Sequence, residues 1–302
     1  MSQPKPNLSY TIAAILPPIV WGFFAIPLRN LSAYSADTIL YYRLFMSLLL
    51  TGVVILLFRR KSLRADRSMI RALPPGQRKQ LFFLITASTL LLTVNWLSFI
   101  YVVNAVSLQA AAFAYMVCPI ITALFGYFLL GEEISPRKWL AIAVSMISVL
   151  ILAWGFLLEV AWSVGVALSF ALYLVIQRKI SGIDKFNLLG VQLLLASLLV
   201  LPVFIGHEQA FPVDSDFWAN IFLVSLLFTV VPLYLNLYAL IRMPSSTVGI
   251  LIYINPIVAF LVAFLYFGDQ ASLLQVASYL VLLIAVVLFN WGNLSRLRKR
   301  PR

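Results

Sequence analysis

The chain has 302 residues, a formal net charge of +12, a hydrophobic fraction of 63% and only 11% charged residues, with a mean hydropathy of +1.00. A soluble domain carries about a quarter charged and about half apolar residues, so these few charges cannot cover a water-facing surface. Lipid is therefore the solvent for much of the chain, and only helices or closed barrels satisfy their backbone polar groups there. Segments 140–152 and 280–289 are apolar on every side, which fits helices and not the alternating strands of a barrel.

In chain order, runs of the roughly 20 apolar residues that cross a bilayer fall at 9–29, 36–58, 80–103, 107–130 and 137–155, then at 158–177, 186–206, 217–241, 245–267 and 271–292. Lys5 precedes an apolar run without a small-residue cleavage site, so that run reads as a first span and not a cleaved signal. The expected fold class is an all-α integral membrane protein of ten helices, with a basic loop at 59–79 and a basic tail at 293–302. If that loop and tail are cytoplasmic, 20 of the 22 basic residues share one side, and both termini lie in the cytoplasm at the plasma (inner) membrane. Asp37, Glu159, Glu208, Asp214, Asp216 and Asp269 collect on the other side. Basic residues placed this way orient spans, so the net charge implies no nucleic-acid partner.

The two halves resemble each other at one offset of 137 residues. That offset aligns Pro119 with Pro256, Gly131 with Gly268, Glu132 with Asp269, Tyr101 with Tyr238 and Trp154 with Trp291. Each half, 9–155 and 158–292, holds five expected spans, an odd number, so the second copy enters the membrane inverted. Inverted repeats supply two near-equivalent conformations open to opposite sides, the basis of alternating access.

Arg43 is the sharpest single residue, because a charge inside a span is costly and faces a wet cavity or the protein interior. It lies about 10 Å below the outer edge and Asn95 about 14 Å, at the helical rise per residue. Both fit the outer half of one cavity, where Arg43 attracts a carboxylate or phosphate. The alternatives are a clamp on backbone carbonyls or a helix C-terminus, or an outward snorkel. Trp21 and Trp96 lie within their spans and suit cavity walls or packing. Gln192 is the rough counterpart of Arg43 in the second half. Tyr115, Tyr253 and Asn255 flank the paired prolines, and Tyr234 places a phenol on the cytoplasmic half of its span. Pro119, Pro232 and Pro256 are candidate helix-bending positions. Glu132 reads as a local cap or ion-pair partner, with a gate as the alternative.

Several short motifs recur in the order and spacing of a known family. They are Trp21-Gly22, the run ADTILYYR ending at Arg43, Asn95-Trp96, QAAAFAYMVCPIITALFGYFLLGEE in the fourth span, Val231-Pro232, and GILIYINPIVAFLVAFLYFGD in the ninth. Together they resemble the drug/metabolite transporter superfamily, in its EamA-like, RarD-type branch. Gln109 and Cys118 depart from that pattern, where Glu and Asn are expected. The resemblance implies a 5 + 5 inverted repeat around a central cavity and export or uptake of small metabolites, and the expected function is a permease for small polar metabolites, such as amino acids or related compounds. The competing class is a non-transporting membrane protein, either a lipid-handling scaffold or a membrane enzyme. No phosphate-binding loop or catalytic motif appears, and lone His207 and Cys118 form no metal set, so neither enzyme chemistry, cofactor nor metal is expected. The expected partners are a small-molecule substrate and the lipid bilayer, with monomer and homodimer both open.

Overall fold

The computed structural model describes residues 8–102, 108–152, 157–206, 211–268 and 273–298, and among them every regular element is helical. Expectations for Lys5, the turn at 104–106, Trp154, His207, Glu208, Asp269 and residues 299–302 fall outside the described residues. The side chains of Gln109, Glu159 and residues 292–298 do so as well.

The helices are α1 (Leu8–Gly22), α2 (Ala25–Asn30), α3 (Ala36–Phe58), α4 (Arg60–Ala72), α5 (Pro75–Tyr101), α6 (Leu108–Leu130) and α7 (Pro136–Leu152). They continue with α8 (Leu157–Lys179), α9 (Lys185–Gly206), α10 (Ser215–Ser225), α11 (Val231–Ala239), α12 (Ser245–Leu251), α13 (Ile254–Leu265) and α14 (Leu273–Arg298). Seven stretches among the described residues are long and apolar enough to cross a membrane: 8–30, 36–58, 75–101, 161–179, 185–206, 215–239 and 245–265. Shorter apolar stretches occur at Ala114–Leu130 and Val276–Trp291. The chain is thus a multi-pass helical membrane protein.

Its polarity is distributed as lipid solvation demands. Large side chains such as Phe58 (79% exposed), Ile205 (71%) and Phe128 (70%) cover the outside. The hydroxyls of Ser47, Thr51, Ser88, Thr89, Thr93, Ser145 and Ser148 are buried. Many of these hydroxyls donate to a carbonyl one turn back, as Ser47 does to Arg43 O at 2.7 Å and Thr93 to Thr89 O at 2.9 Å. Those hydroxyls are thereby satisfied within their own helix, and the small side chains let helices approach closely.

Three of the seven long stretches are interrupted, each for a local reason. The first turns at Phe23–Phe24 between α1 and α2. The sixth passes through a π-helical segment, Leu226–Val230, just before Pro232. The seventh breaks between Leu251 and Ile254, where Ile252, Tyr253 and Asn255 make tight bonds to Gly249, Ile250 and Ile252 just ahead of Pro256. By contrast α6 runs unbroken through Pro119, so the aligned prolines stand in different backbones. Gly131 and Gly268 do match: both follow a helix end with positive φ, 64° and 73°, a conformation that glycine adopts without steric cost.

The basic stretch 59–79 is more ordered than a loop. Most of it folds into α4, whose side chains Arg60, Lys61, Arg64, Arg67 and Arg71 are exposed while Asp66 is buried. Asp66 accepts the Asp184 amide at 3.1 Å and the Asn187 side-chain amide at 2.6 Å, and Arg59 pairs with Asp184 at 2.5 Å. The sequence showed the charge of this segment, but its one inward acid is what docks it.

Candidate functional site

A cavity of about 410 Å³ lies among α1, α2, α3, α5, α6, α8, the π-helical segment, α11, α13 and α14. It reaches toward the end of the bundle where α3 begins, at Ala25, Leu28, Ala36 and Ile100, and away from the basic helix α4.

The sequence already marked seven of its wall residues: Trp21, Arg43, Asn95, Trp96, Tyr115, Asn255 and Pro256. The Arg43 guanidinium sits over two rings, with its Cζ 5.7 Å from the centroid of Phe24 and 5.8 Å from that of Trp96. Among the described residues it has neither a carboxylate partner nor a carbonyl acceptor. The alternative reading of Arg43, a clamp on backbone carbonyls, thus finds no acceptor among them. The Arg43 carbonyl itself is held by the Ser225 hydroxyl at 3.0 Å, which ties α3 to α10 and fixes where the side chain starts. Asn95 gives its side-chain N–H to Val166 O at 2.9 Å, joining α5 to α8, and its oxygen has no partner among the described residues. Asn255 lines the wall as α13 begins, without a hydrogen-bonding partner for its amide among the described residues.

Trp21 has a definite structural task. Pro232 has no N–H, so the carbonyl one turn earlier, at Phe228, loses its usual donor. The Trp21 indole N–H donates to that carbonyl at 2.9 Å. One bond therefore satisfies a freed carbonyl and stands the indole against the cavity, edge-on to Phe170 at 6.2 Å.

Three expected cavity residues lie elsewhere. Gln192 is fully buried and donates to the Ser88 hydroxyl at 2.8 Å, clamping α9 to α5. Tyr234 packs edge-on against Phe186 at 5.4 Å, beside Asp184 and α4. Tyr253 is buried in the main hydrophobic core. Pro119 and Pro232 do not line the cavity either; Pro232 acts on it through Phe228. Sequence reading missed most of the apolar wall, including Phe24, Phe99, Met116, Phe170, Phe228 and Tyr279. Only Phe228 carried a usable signal, its place four residues before a proline.

The end of the bundle away from the cavity is closed by contacts between distant parts of the chain. The Glu132 carboxylate is buried and accepts from Ser245 N at 2.6 Å, the Ser245 hydroxyl at 2.8 Å and Ser246 N at 2.9 Å. It is thus a long-range cap on α12, where a local cap or ion pair was expected. Gly126 makes room for it, since a Cβ there would meet the Glu132 carboxylate at 2.6 Å. Arg178 adds bonds to Leu240 O at 2.8 Å and Ile241 O at 3.0 Å.

A multi-pass helical bundle with a ring-lined cavity, open toward one end and holding one cation among the described residues, fits a membrane transporter. The chain belongs to the EamA-like transporter family, whose model matches residues 8–154 and again 157–291. Its relatives include the protein RarD of Streptomyces exfoliatus, 29% identical over 93% of this chain and 87% of that protein. The protein RarD of Escherichia coli is 25% identical over 94% and 95%, and a Vibrio cholerae protein described as an uncharacterized transporter is 28% identical over 91% and 90%. One solved crystal structure superimposes with a TM-score of 0.74 at 14% identity, covering 98% of this chain and 100% of that one, a likeness of fold.

Proposed function

We propose that this membrane transporter is a secondary permease of the bacterial inner membrane, carrying a small metabolite by alternating access. The cavity around Arg43 is its binding site. The observation that carries this reading is Arg43, half-buried within a span, whose guanidinium lines a cavity and has no acceptor among the described residues. A charge kept inside a membrane protein without a structural partner marks a pathway or ligand site.

The frame we infer has ten crossings: α1–α2, α3, α5, α6 and α7, then α8, α9, α10–α11, α12–α13 and α14. Helix contacts support the inverted repeat, because they come in couples that exchange under it. The pairs α3 with α9, α6 with α12, and α7 with α14 each map onto themselves, while α5 with α8 maps onto α1 with α11. With α4 and both termini in the cytoplasm, the cavity faces outward and the Glu132 and Asp66 contacts form the closed inner side.

Metabolite pools of cells with and without the protein nominate candidates, and counterflow in proteoliposomes tests them. The reading expects saturable counterflow of at least one candidate, strongly reduced in Arg43→Ala at equal membrane insertion. Undiminished counterflow in Arg43→Ala removes Arg43 from the site, and absence of counterflow for every candidate removes the transport reading.

A further inference from the structure

The lining of the Arg43 cavity restricts the ligand further than its size does. A volume of about 410 Å³ suits a small molecule. Its single cation is Arg43, and no Asp or Glu lines it among the described residues. One guanidinium without a carboxylate partner leaves the empty site with an uncompensated positive charge. A ligand with one negative charge neutralises it, and the planar fork of arginine suits a carboxylate.

A positive group on the ligand meets no carboxylate among the described lining residues. A buried ammonium needs an anion or a full set of acceptors, or its desolvation cost goes unrecovered. The side-chain acceptors without a partner among the described residues are amide and phenol oxygens, at Asn95, Asn255, Tyr115 and Tyr279. The two rings nearest the charge, Phe24 and Trp96, already face the Arg43 cation. Apart from Thr229, whose hydroxyl donates to Val224 O, the rest of the wall is apolar or aromatic, with Trp21, Phe99, Met116, Phe170, Phe228 and Leu233 surrounding the space.

Resting on the transport reading for its biological use, we propose that the site takes an organic monoanion with an apolar, ring-sized body and discriminates against zwitterions such as α-amino acids. The charge binds at Arg43 and the body fills the aromatic part of the cavity. This departs from the expectation of amino acids and other polar metabolites drawn from the sequence.

Four probes separate the terms: 3-phenylpropionate carries charge and body, 3-phenylpropanamide the body alone, acetate the charge alone, and phenylalanine adds an ammonium to the first. Their binding is measured on purified protein in nanodiscs by quenching of indole fluorescence and by calorimetry. This reads the site whether or not the protein moves its ligand, so a failure of flux and a failure of ligand class are told apart. The expected result is that 3-phenylpropionate binds at least about tenfold more tightly than each of the other three, the margin that separates charged from neutral hydrogen bonds. In Arg43→Gln the acid loses its preference over the amide. The wild-type series decides the matter alone if that variant does not fold. Phenylalanine binding as tightly as 3-phenylpropionate, acid and amide binding equally in the wild type, or no binding by any probe at millimolar concentration overturns the proposal.

Discussion

At the scale of single residues, the bond from Trp21 to Phe228 O explains why a tryptophan stands inside the first span. An unsatisfied buried carbonyl costs about 1–3 kcal/mol, so Trp21→Phe should destabilise the purified protein by about that much, read as a lowered midpoint in thermal unfolding. Pro232→Ala restores an N–H that can reach Phe228 O. Combined with Trp21→Phe, it should recover part of the loss, and strictly additive effects would count against this bond. Residue reasoning found Arg43, Asn95, Trp21 and Trp96 because a charge, an amide or an indole deep in a span demands a reason. It misplaced Gln192, Tyr234 and Tyr253 because depth along a helix is legible in sequence and the direction a side chain faces is not. That direction depends on which neighbour lies alongside, and for Gln192 the neighbour is Ser88.

Elements are where a few polar contacts hold distant segments together. The acid of α4 faces the second half of the chain while its arginines face out, so Asp66→Ala should undock the helix. Trypsin would then cut after Arg64, Arg67 or Arg71 several-fold faster than in the wild type. Asn187→Ala should act in the same direction, with little further gain in the double variant, because Asp66→Ala already removes the Asn187 contact. Unchanged cleavage would mean that α4 is held by its apolar contacts instead. The Glu132 cap joins α6 to α12 with three charge-assisted bonds, among the stronger kinds of hydrogen bond. Glu132→Gln keeps the shape and removes the charge. In a Cys118→Ser background, Thr247→Cys lies buried just behind the cap, and its labelling from the α4 side should accelerate about tenfold or more in Glu132→Gln. The spans themselves were largely readable from apolar runs, but their interruptions were not. Pro119 and Pro256 look alike in sequence, yet one lies in a continuous helix and the other ends a break, because only the latter follows a tight turn at Ile252–Asn255.

At the scale of the whole molecule, the sequence repeat and the matching glycine conformations at Gly131 and Gly268 describe one duplicated unit. The family model likewise matches the chain twice. In this conformation the cavity reaches the end where α3 begins, while the opposite end is sealed by Glu132, Asp66 and Arg178. The inverted repeat proposed above implies a second conformation with those roles exchanged, and that exchange is the central claim. Its most direct test uses single cysteines in the Cys118→Ser background, one at Ala36 in the cavity mouth and one at Thr247 behind the closed side. An impermeant maleimide is applied from each face of oriented vesicles, with and without bound ligand. The account predicts reciprocal behaviour: whatever slows labelling at position 36 from outside speeds labelling at position 247 from inside. Labelling that rises and falls together at the two positions, or stays fixed at both under every condition, would contradict alternating access in this protein.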